Sequence, residues 1–174
     1  MSSGRPAVFL DRDGTVIEDV GYLDDPAGVR LLDGAADGLA ALRTAGFALV
    51  VVSNQSGIGR GLISQERADA VHRGFVDELR RAGVEPDDVR YCPHAPDAAC
   101  ECRKPSPRLL LDSARELGLD LAGSFMVGDK PTDAETGRNA GCRTILLGAS
   151  NGGAADHVAD SWADVVAFVL GAEK

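Results

Sequence analysis

An α/β fold built on one doubly wound parallel sheet is what this sequence predicts, and three observations carry the prediction. Short strand-like runs at residues 7–10, 48–52, 89–91, 125–127 and 144–147 alternate with segments of helical period. Capping residues and glycines punctuate the helical segments where helices should start and stop. The residues able to carry chemistry gather just after the strand-like runs, and an open α/β sheet binds its ligands at the carboxyl ends of its strands.

Each element follows in order. Ala7-Val8-Phe9-Leu10 reads as the first strand and 34–45 as a helix; 48–52 is the second strand. The helix over 64–82 starts at Ser64, whose hydroxyl suits an N-cap, carries Glu66 in its first turn and stops at Gly83. Residues 89–91 form the third strand, and the helix over 107–117 stops at Gly118. The fourth strand spans 125–127, a helix 131–140, and the fifth strand 144–147. Residues 150–160 are rich in Gly, Ala and Asp, and 162–170 carry apolar residues at helical spacing, a last helix packed on the sheet. Helical connections between successive strands imply parallel order with both faces of the sheet covered. There is no internal repeat.

With 174 residues and 44% apolar content, the chain suits one domain, 1–174, with its own core. No signal segment is recognisable, and no apolar run approaches the ~20 residues that cross a bilayer. The expected setting is the cytoplasm and the expected state a monomer. A net charge of −9 argues against nucleic acid and anionic membrane as partners, so an anionic substrate has to be met by a local cluster of cations. The stretch between Asp13 and the first helix is far shorter than the ~50 residues of an independent domain, so loops alone should close the site.

Four loops hold the candidates: 11–25, 53–63, 92–105 and 128–133. In Asp11-Arg12-Asp13-Gly14-Thr15, alternation along an extended backbone turns both aspartates to one side, where two crowded anions call for a cation. A strand-to-loop cap, with the carboxylates accepting backbone N–H bonds, is the other reading. Ser53-Asn54-Gln55-Ser56-Gly57-Ile58-Gly59-Arg60-Gly61 offers a hydroxyl, permissive glycines, backbone N–H groups and a guanidinium, as a phosphate cradle or a plain connection does. Gly128-Asp129-Lys130-Pro131-Thr132-Asp133 supplies carboxylates for a hard cation together with the Lys130 ammonium; Asp133 is either a ligand or a charge favouring the next helix's N-terminus.

Cys92, His94, Cys100 and Cys102 place three of the four cysteines and one of the three histidines within eleven residues, directly before Arg103-Lys104. In a cytosolic chain this pattern reads as a closed tetrahedral zinc site rather than a disulfide. Such an ion is structural, and it would aim Arg103 and Lys104 at the face where the other loops converge. Cys142 reads as a small buried hydrophobe, and His72 and His157 as structural or surface residues.

The DxDGT run, the hydroxyl residue Ser53, Lys104 before the fourth strand and GDxxxD after it resemble the haloacid dehalogenase (HAD) superfamily of phosphohydrolases. Within it, FLDRDGT, Gly21-Tyr22, SNQSGIGRG, CPH with CxCRKP, and MVGDKxxD are similar to the capless D-glycero-D-manno-heptose 1,7-bisphosphate phosphatases over residues 7–148. Relatives that act on histidinol phosphate share the aspartate pair and the zinc loop; the GIGRG stretch and the Gly-Tyr pair favour the heptose group. Ser53 stands where threonine is common, which keeps the hydroxyl, and the segment between His94 and Cys100 is short.

The resemblance implies a single Rossmann-like, HAD-like domain without a cap, and a Mg²⁺-dependent removal of the 7-phosphate from a heptose bisphosphate. Asp11 would be the nucleophile and Asp13 the general acid/base, with Mg²⁺ held by Asp11, the Asp13 carbonyl and Asp129. Ser53 and Lys104 would hold the phosphoryl oxygens. Asp19, Val20, Gly21 and Tyr22, with Asn54, Gln55 and Ser56, would line the substrate; Arg103 would recognise its far part, with Arg60 and Lys130 as further cations on that face. The alternatives are a histidinol-phosphate phosphatase and a zinc-stabilised module that binds a phosphometabolite without turnover.

Overall fold

The computed structural model describes residues 4–148 and 153–171; of the 150–160 tail, residues 150–152 lie outside them. Its elements are β1 (Arg5–Leu10), α1 (Ala35–Thr44), β2 (Ala48–Asn54), α2 (Ser56–Gly59), α3 (Gln65–Arg81), β3 (Asp88–Cys92), α4 (Arg108–Leu117), β4 (Leu119–Gly128), α5 (Pro131–Ala140), β5 (Arg143–Leu147), β6 (His157–Ala159) and α6 (Trp162–Gly171). The strands form one parallel sheet in the order β3-β2-β1-β4-β5-β6. The chain therefore winds outward from β1 in one direction and returns to its other side at β4. The cleft-forming reversal of a doubly wound sheet lies between these two strands.

Alternation along the strands explains the two layers. Val8, Leu10, Leu49, Val51, Phe125 and Val127 face one core with buried residues of α1, α3 and α6. Their neighbours Ala7, Phe9, Ala48, Val50, Val52 and Met126 face the other, against Leu109 and Leu110 of α4 and Ala140 of α5. Strands apolar on both faces are what a helix-covered parallel sheet needs. Trp162 at the start of α6 is buried, and its Nε1 donates to the Thr15 carbonyl at 2.9 Å, tying the last helix to the loop after β1.

The expected caps are present: Ser64 Oγ accepts from the Arg67 N–H at 3.3 Å, and Gly118 closes α4 at φ 66°, where a Cβ is disfavoured. Three features differ from the sequence reading. β4 begins at Leu119 instead of 125, because its first residues pair with Arg5 and Pro6 before the register shifts between Pro6 and Val8. The exposed Ala122-Gly123 at that irregularity interrupts the apolar pattern. The short turn α2 lies inside the predicted loop 53–63, and β6 is a three-residue edge strand too short to show an alternation. Residues 11–34, between β1 and α1, hold a single 3-10 turn at Pro26–Gly28 and two isolated bridges.

Candidate active site

The site is assembled at the carboxyl ends of β1, β2 and β4 and on the loop after β3. The Asp11 N–H donates to the Val127 carbonyl at 2.9 Å, so the residue leaves β1 level with the end of β4. The chain then turns back on itself, with the N–H groups of Val16 and Ile17 both 3.0 Å from the Arg12 carbonyl. Gly14 sits at φ 83°, and a Cβ there would stand 2.4 Å from Asp129 Oδ2. Only glycine allows both that conformation and so close an approach of the second carboxylate.

Lys104 reaches into this corner from the loop after β3. Its Nζ donates to Asp11 Oδ1 at 2.8 Å, Asp133 Oδ1 at 2.7 Å and the Val52 carbonyl at 3.0 Å, with the whole residue 4% exposed. All three ammonium protons are thus engaged. Asp133, in the first turn of α5, also accepts at Oδ2 from the N–H groups of Asp129 (3.2 Å) and Lys130 (3.1 Å). The sequence left Asp133 open between a ligand and a helix-end charge; its oxygens serve the helix start and Lys104. A Cβ on Gly128 would lie 2.2 Å from the Asp133 Cβ, so the glycine of the GD pair is what lets α5 pack this tightly.

Burial pushes the Asp11 carboxyl up to about 7, opposed by Lys104 and reinforced by Asp133. Burial also raises the Asp129 carboxyl, against the pull of Lys130. It works against the Lys104 ammonium, but Asp11 and Asp133 outweigh it and hold Lys104 above the ordinary lysine value. Two carboxylates thus hold one buried ammonium, with Asp129 clustered beside them. The oxygens of Asp11, Asp129 and Asp133 lie within 4.8 Å of one another, and Asp129 Oδ1 is buried without a hydrogen-bond partner. An all-oxygen cluster with an orphaned carboxylate oxygen fits a hard divalent cation such as Mg²⁺.

The Asp13 carboxylate is engaged elsewhere. Arg12 Nε donates to its Oδ2 at 3.0 Å and Arg12 Nη2 to its Oδ1 at 3.2 Å. Gln55 Nε2 donates to Asp13 Oδ2 at 2.8 Å and to Ser53 Oγ at 3.0 Å.

Above these groups opens a cleft of about 690 Å³, lined by Asp13, Asp19, Gly21, Tyr22, Asn54, Gln55, Ser56, Gly57, Arg103, Lys104, Pro105, Lys130 and Thr132. Asp11 lies on its floor, in a recess shared with Asp13, Asn54, Lys104, Lys130, Thr132 and Asp133. Lys130 and Asp19 face each other across the cleft as an ion pair at 3.3 Å. Ser53 is buried beneath Gln55, while exposed Val20 and Arg60 are not among the lining residues. The sequence assigns no role to Arg12, a residue 5% exposed whose guanidinium meets the Asp13 carboxylate; an arginine between two strand-end aspartates in the sequence is the signal that could have found it.

The cysteine loop is docked on the end of β2. Its Cys92 and Pro93 carbonyls accept from the N–H groups of Gln55 and Gly59, each at 2.8 Å. His94 Nδ1 stands 3.4 Å from Cys92 Sγ and 3.3 Å from Cys102 Sγ, with Cys92 and Cys100 sulfurs 3.8 Å apart. All four cysteines are free. Sulfurs ~2.3 Å from a tetrahedral ion are about 3.8 Å from each other, so the four side chains fit Zn²⁺.

A D-glycero-β-D-manno-heptose-1,7-bisphosphate 7-phosphatase of Photorhabdus laumondii is 42% identical over 154 residues, 84% of this chain and 82% of the relative. The chain belongs to this phosphatase family. A second member, from Yersinia pestis, is 40% identical, covering 95% of each chain. The crystal structure of a D,D-heptose 1,7-bisphosphate phosphatase from B. bronchiseptica, complexed with magnesium and phosphate, superposes with a TM-score of 0.86 at 33% identity, covering 96% of this chain and 99% of that one. A HAD-hydrolase-like family model matches residues 101–170. The heptose bisphosphate phosphatase family thus has here a HAD-like fold, with the expected doubly wound sheet.

Proposed function

We propose that this chain, acting as one domain over 1–174 and as a monomer, removes the 7-phosphate of D-glycero-D-manno-heptose 1,7-bisphosphate through an aspartyl-phosphate on Asp11. The observation that carries the reading is the buried Lys104–Asp11 contact of 2.8 Å on the floor of a cleft wide enough for a sugar phosphate. The relatives named for this activity support the substrate.

A phosphomonoester carries about −1.5 to −2 charges at neutral pH and repels a carboxylate nucleophile. Asp11, the Asp13 carbonyl and Asp129 would hold Mg²⁺, which when bound neutralises the transferring oxygens. Lys104 adds its own charge from below, and Ser53 donates its hydroxyl hydrogen to a phosphoryl oxygen. Asp11 attacks phosphorus in line while Asp13 gives a proton to the departing alkoxide; Asp13 then takes a proton from the water that cleaves the aspartyl-phosphate. Zn²⁺ on Cys92, His94, Cys100 and Cys102 would hold the loop that presents Arg103 and Lys104. Thiols acting as metal ligands suit a reducing compartment, the cytoplasm; no helix among the described residues is long and apolar enough to cross a membrane.

Phosphate release tests the reading, measured with and without EDTA on heptose 1,7-bisphosphate, histidinol phosphate and fructose 1,6-bisphosphate. EDTA-sensitive turnover with the heptose preferred is expected. Preference for histidinol phosphate replaces the substrate, and binding without turnover replaces the enzyme by a binding module.

A further inference from the structure

Side chains of consecutive residues on an extended backbone leave on opposite sides. Arg12 and Asp13 nevertheless meet as a fork against a carboxylate, with contacts of 3.0 and 3.2 Å. Desolvating a guanidinium is costly, and a fork of this kind fixes direction as well as charge. Gln55 adds a third donor to the same carboxylate and gives the other hydrogen of the same nitrogen to Ser53 Oγ.

The donors can be counted against the acceptor. A carboxylate offers about four lone-pair positions, two on each oxygen. Arg12 Nε and Gln55 Nε2 fill both on Asp13 Oδ2, and Arg12 Nη2 fills one on Oδ1. Among the described contacts, one position on Oδ1 stays open. Ser53, in turn, accepts from Gln55 and so keeps its own hydrogen to donate outward.

We propose that Arg12 and Gln55 are positioning residues that bracket Asp13 with Oδ1 turned to the breaking bond, and that Gln55 sets the Ser53 hydroxyl through the same amide nitrogen. The inference rests on the reading of Asp13 as general acid/base. In the first step an Asp11 oxygen bonds to phosphorus, the bond from phosphorus to the sugar oxygen breaks with its electron pair going to that oxygen, and the proton on Oδ1 moves to it. In the second, a water oxygen bonds to phosphorus, the Asp11 oxygen recovers its pair, and the water proton returns to Oδ1. Both transfers use the one open position, so loss of the bracket should slow proton transfer without loosening substrate.

Leaving-group dependence reads this directly, because a nitrophenolate needs little protonation and a sugar alkoxide needs it fully. Wild type, Arg12→Met, Arg12→Lys, Gln55→Leu and Asp13→Asn are compared on heptose bisphosphate and on p-nitrophenyl phosphate, with melting temperatures alongside. Arg12→Met and Gln55→Leu should lower kcat on the sugar at least ~10-fold more than on the aryl ester, the scale of one misplaced proton transfer, with KM for the sugar nearly unchanged. Arg12→Lys, which keeps the charge and loses the fork, should show the same bias. Equal losses on both substrates, a wild-type ratio in Arg12→Lys, or a raised KM with kcat intact in Gln55→Leu would each overturn the bracket. Gln55 is only half-buried, so its variant decides the matter even where Arg12→Met fails to fold. If Asp13→Asn itself shows no bias toward the aryl ester, the acid/base reading fails and takes the bracket with it; bias in Asp13→Asn alone sinks only the bracket.

Discussion

The carboxamide of Asn54 is paired at both ends with the backbone of Lys104: Oδ1 accepts from the N–H at 3.0 Å and Nδ2 donates to the carbonyl at 3.2 Å. One side chain at the end of β2 thus fixes the point from which the buried lysine enters the site. Asn54 also lines the cleft, the place its resemblance to relatives gives it, but both ends of its amide are already spent on the loop.

Asn54→Ala should therefore lower kcat on every phosphoester, sugar or aryl, because the ammonium that faces Asp11 is displaced for all of them. The loss should be about 10-fold, given two neutral hydrogen bonds of roughly 0.5–1.5 kcal/mol each. Steady-state kinetics on both substrates check this. A raised KM confined to the sugar would instead make Asn54 a substrate contact.

With Mg²⁺ held as proposed, Asp11 would couple metal binding to pH. An unfolded aspartate ionises near ~3.9, whereas burial holds the folded carboxyl at about 7. Between these values the folded state binds the extra proton, so this group's contribution to stability is full at low pH and fades as pH rises toward 7. A cation competes with that proton. In EDTA the protein should melt lower at pH 8 than at pH 5, and the rise in melting temperature on adding Mg²⁺ should be larger at pH 8. Asp11→Asn should flatten this pH dependence and abolish turnover while the protein stays folded. Calorimetric scans at the two pH values, with and without Mg²⁺, test it.

Gly128→Ala should be far more harmful than a single methyl suggests. The added Cβ would stand 2.2 Å from that of Asp133, within backbone and helix that cannot both yield. Displacing Asp133 removes one of the three partners of Lys104 and leaves a buried ammonium under-satisfied, a loss of about 3–5 kcal/mol when a buried pair is broken. Loss of activity with a markedly lower melting temperature is expected; near-normal activity would show that α5 can shift without disturbing Lys104.

The cluster of Cys92, His94, Cys100 and Cys102 should hold one zinc ion per chain, measurable by elemental analysis after purification in metal-free buffer. Cys102→Ser should lower the melting temperature and weaken substrate binding indirectly, since a closed four-ligand site contributes folding energy and offers no reactive water. A zinc-free Cys102→Ser protein with full activity would mean that the contacts of Cys92 and Pro93 with the end of β2 order the loop unaided.

Much of this was legible in the sequence because the site sits at strand ends, and strand ends are marked by where apolar runs stop. Asp11, Lys104 and Asp129 converge as their places after the runs suggested, and the Cys-His spacing predicted its cluster. What stayed hidden depends on side-chain direction. Asp133 turned out to face Lys104 because Gly128 admits α5 so closely, a distance that spacing does not encode. The Arg12 fork and the two-ended Asn54 pairing depend likewise on rotamers. Arg60, a guanidinium in the right loop, stands outside the cleft lining because the turn α2 ends just before it. β6 escaped notice because three residues at an edge carry no period.

With the proposed substrate in the cleft, Arg103 would be the guanidinium that reads its far part. It lines the cleft, and among the described residues its Nη1 reaches only the His94 carbonyl, at a long 3.4 Å. That contact is weak enough to be exchanged for an anionic oxygen. Lys130, the other cation on the wall, is already paired with Asp19, and the chain as a whole carries −9, so a second phosphate is attracted only where such a group meets it. One charge-assisted hydrogen bond is worth roughly 1.5–3 kcal/mol, which makes the expected preference for a sugar bisphosphate over histidinol phosphate at least ~10-fold in kcat/KM. Arg103→Ala should shrink that preference while leaving hydrolysis of p-nitrophenyl phosphate, which has no far part to hold, within a few-fold of wild type. Competition between the two substrates in one assay measures the ratio directly. A uniform loss on all three substrates would place Arg103 among the groups that support the Lys104 loop, and the source of substrate selection would then lie on the opposite wall, with Lys130 and the residues around Tyr22.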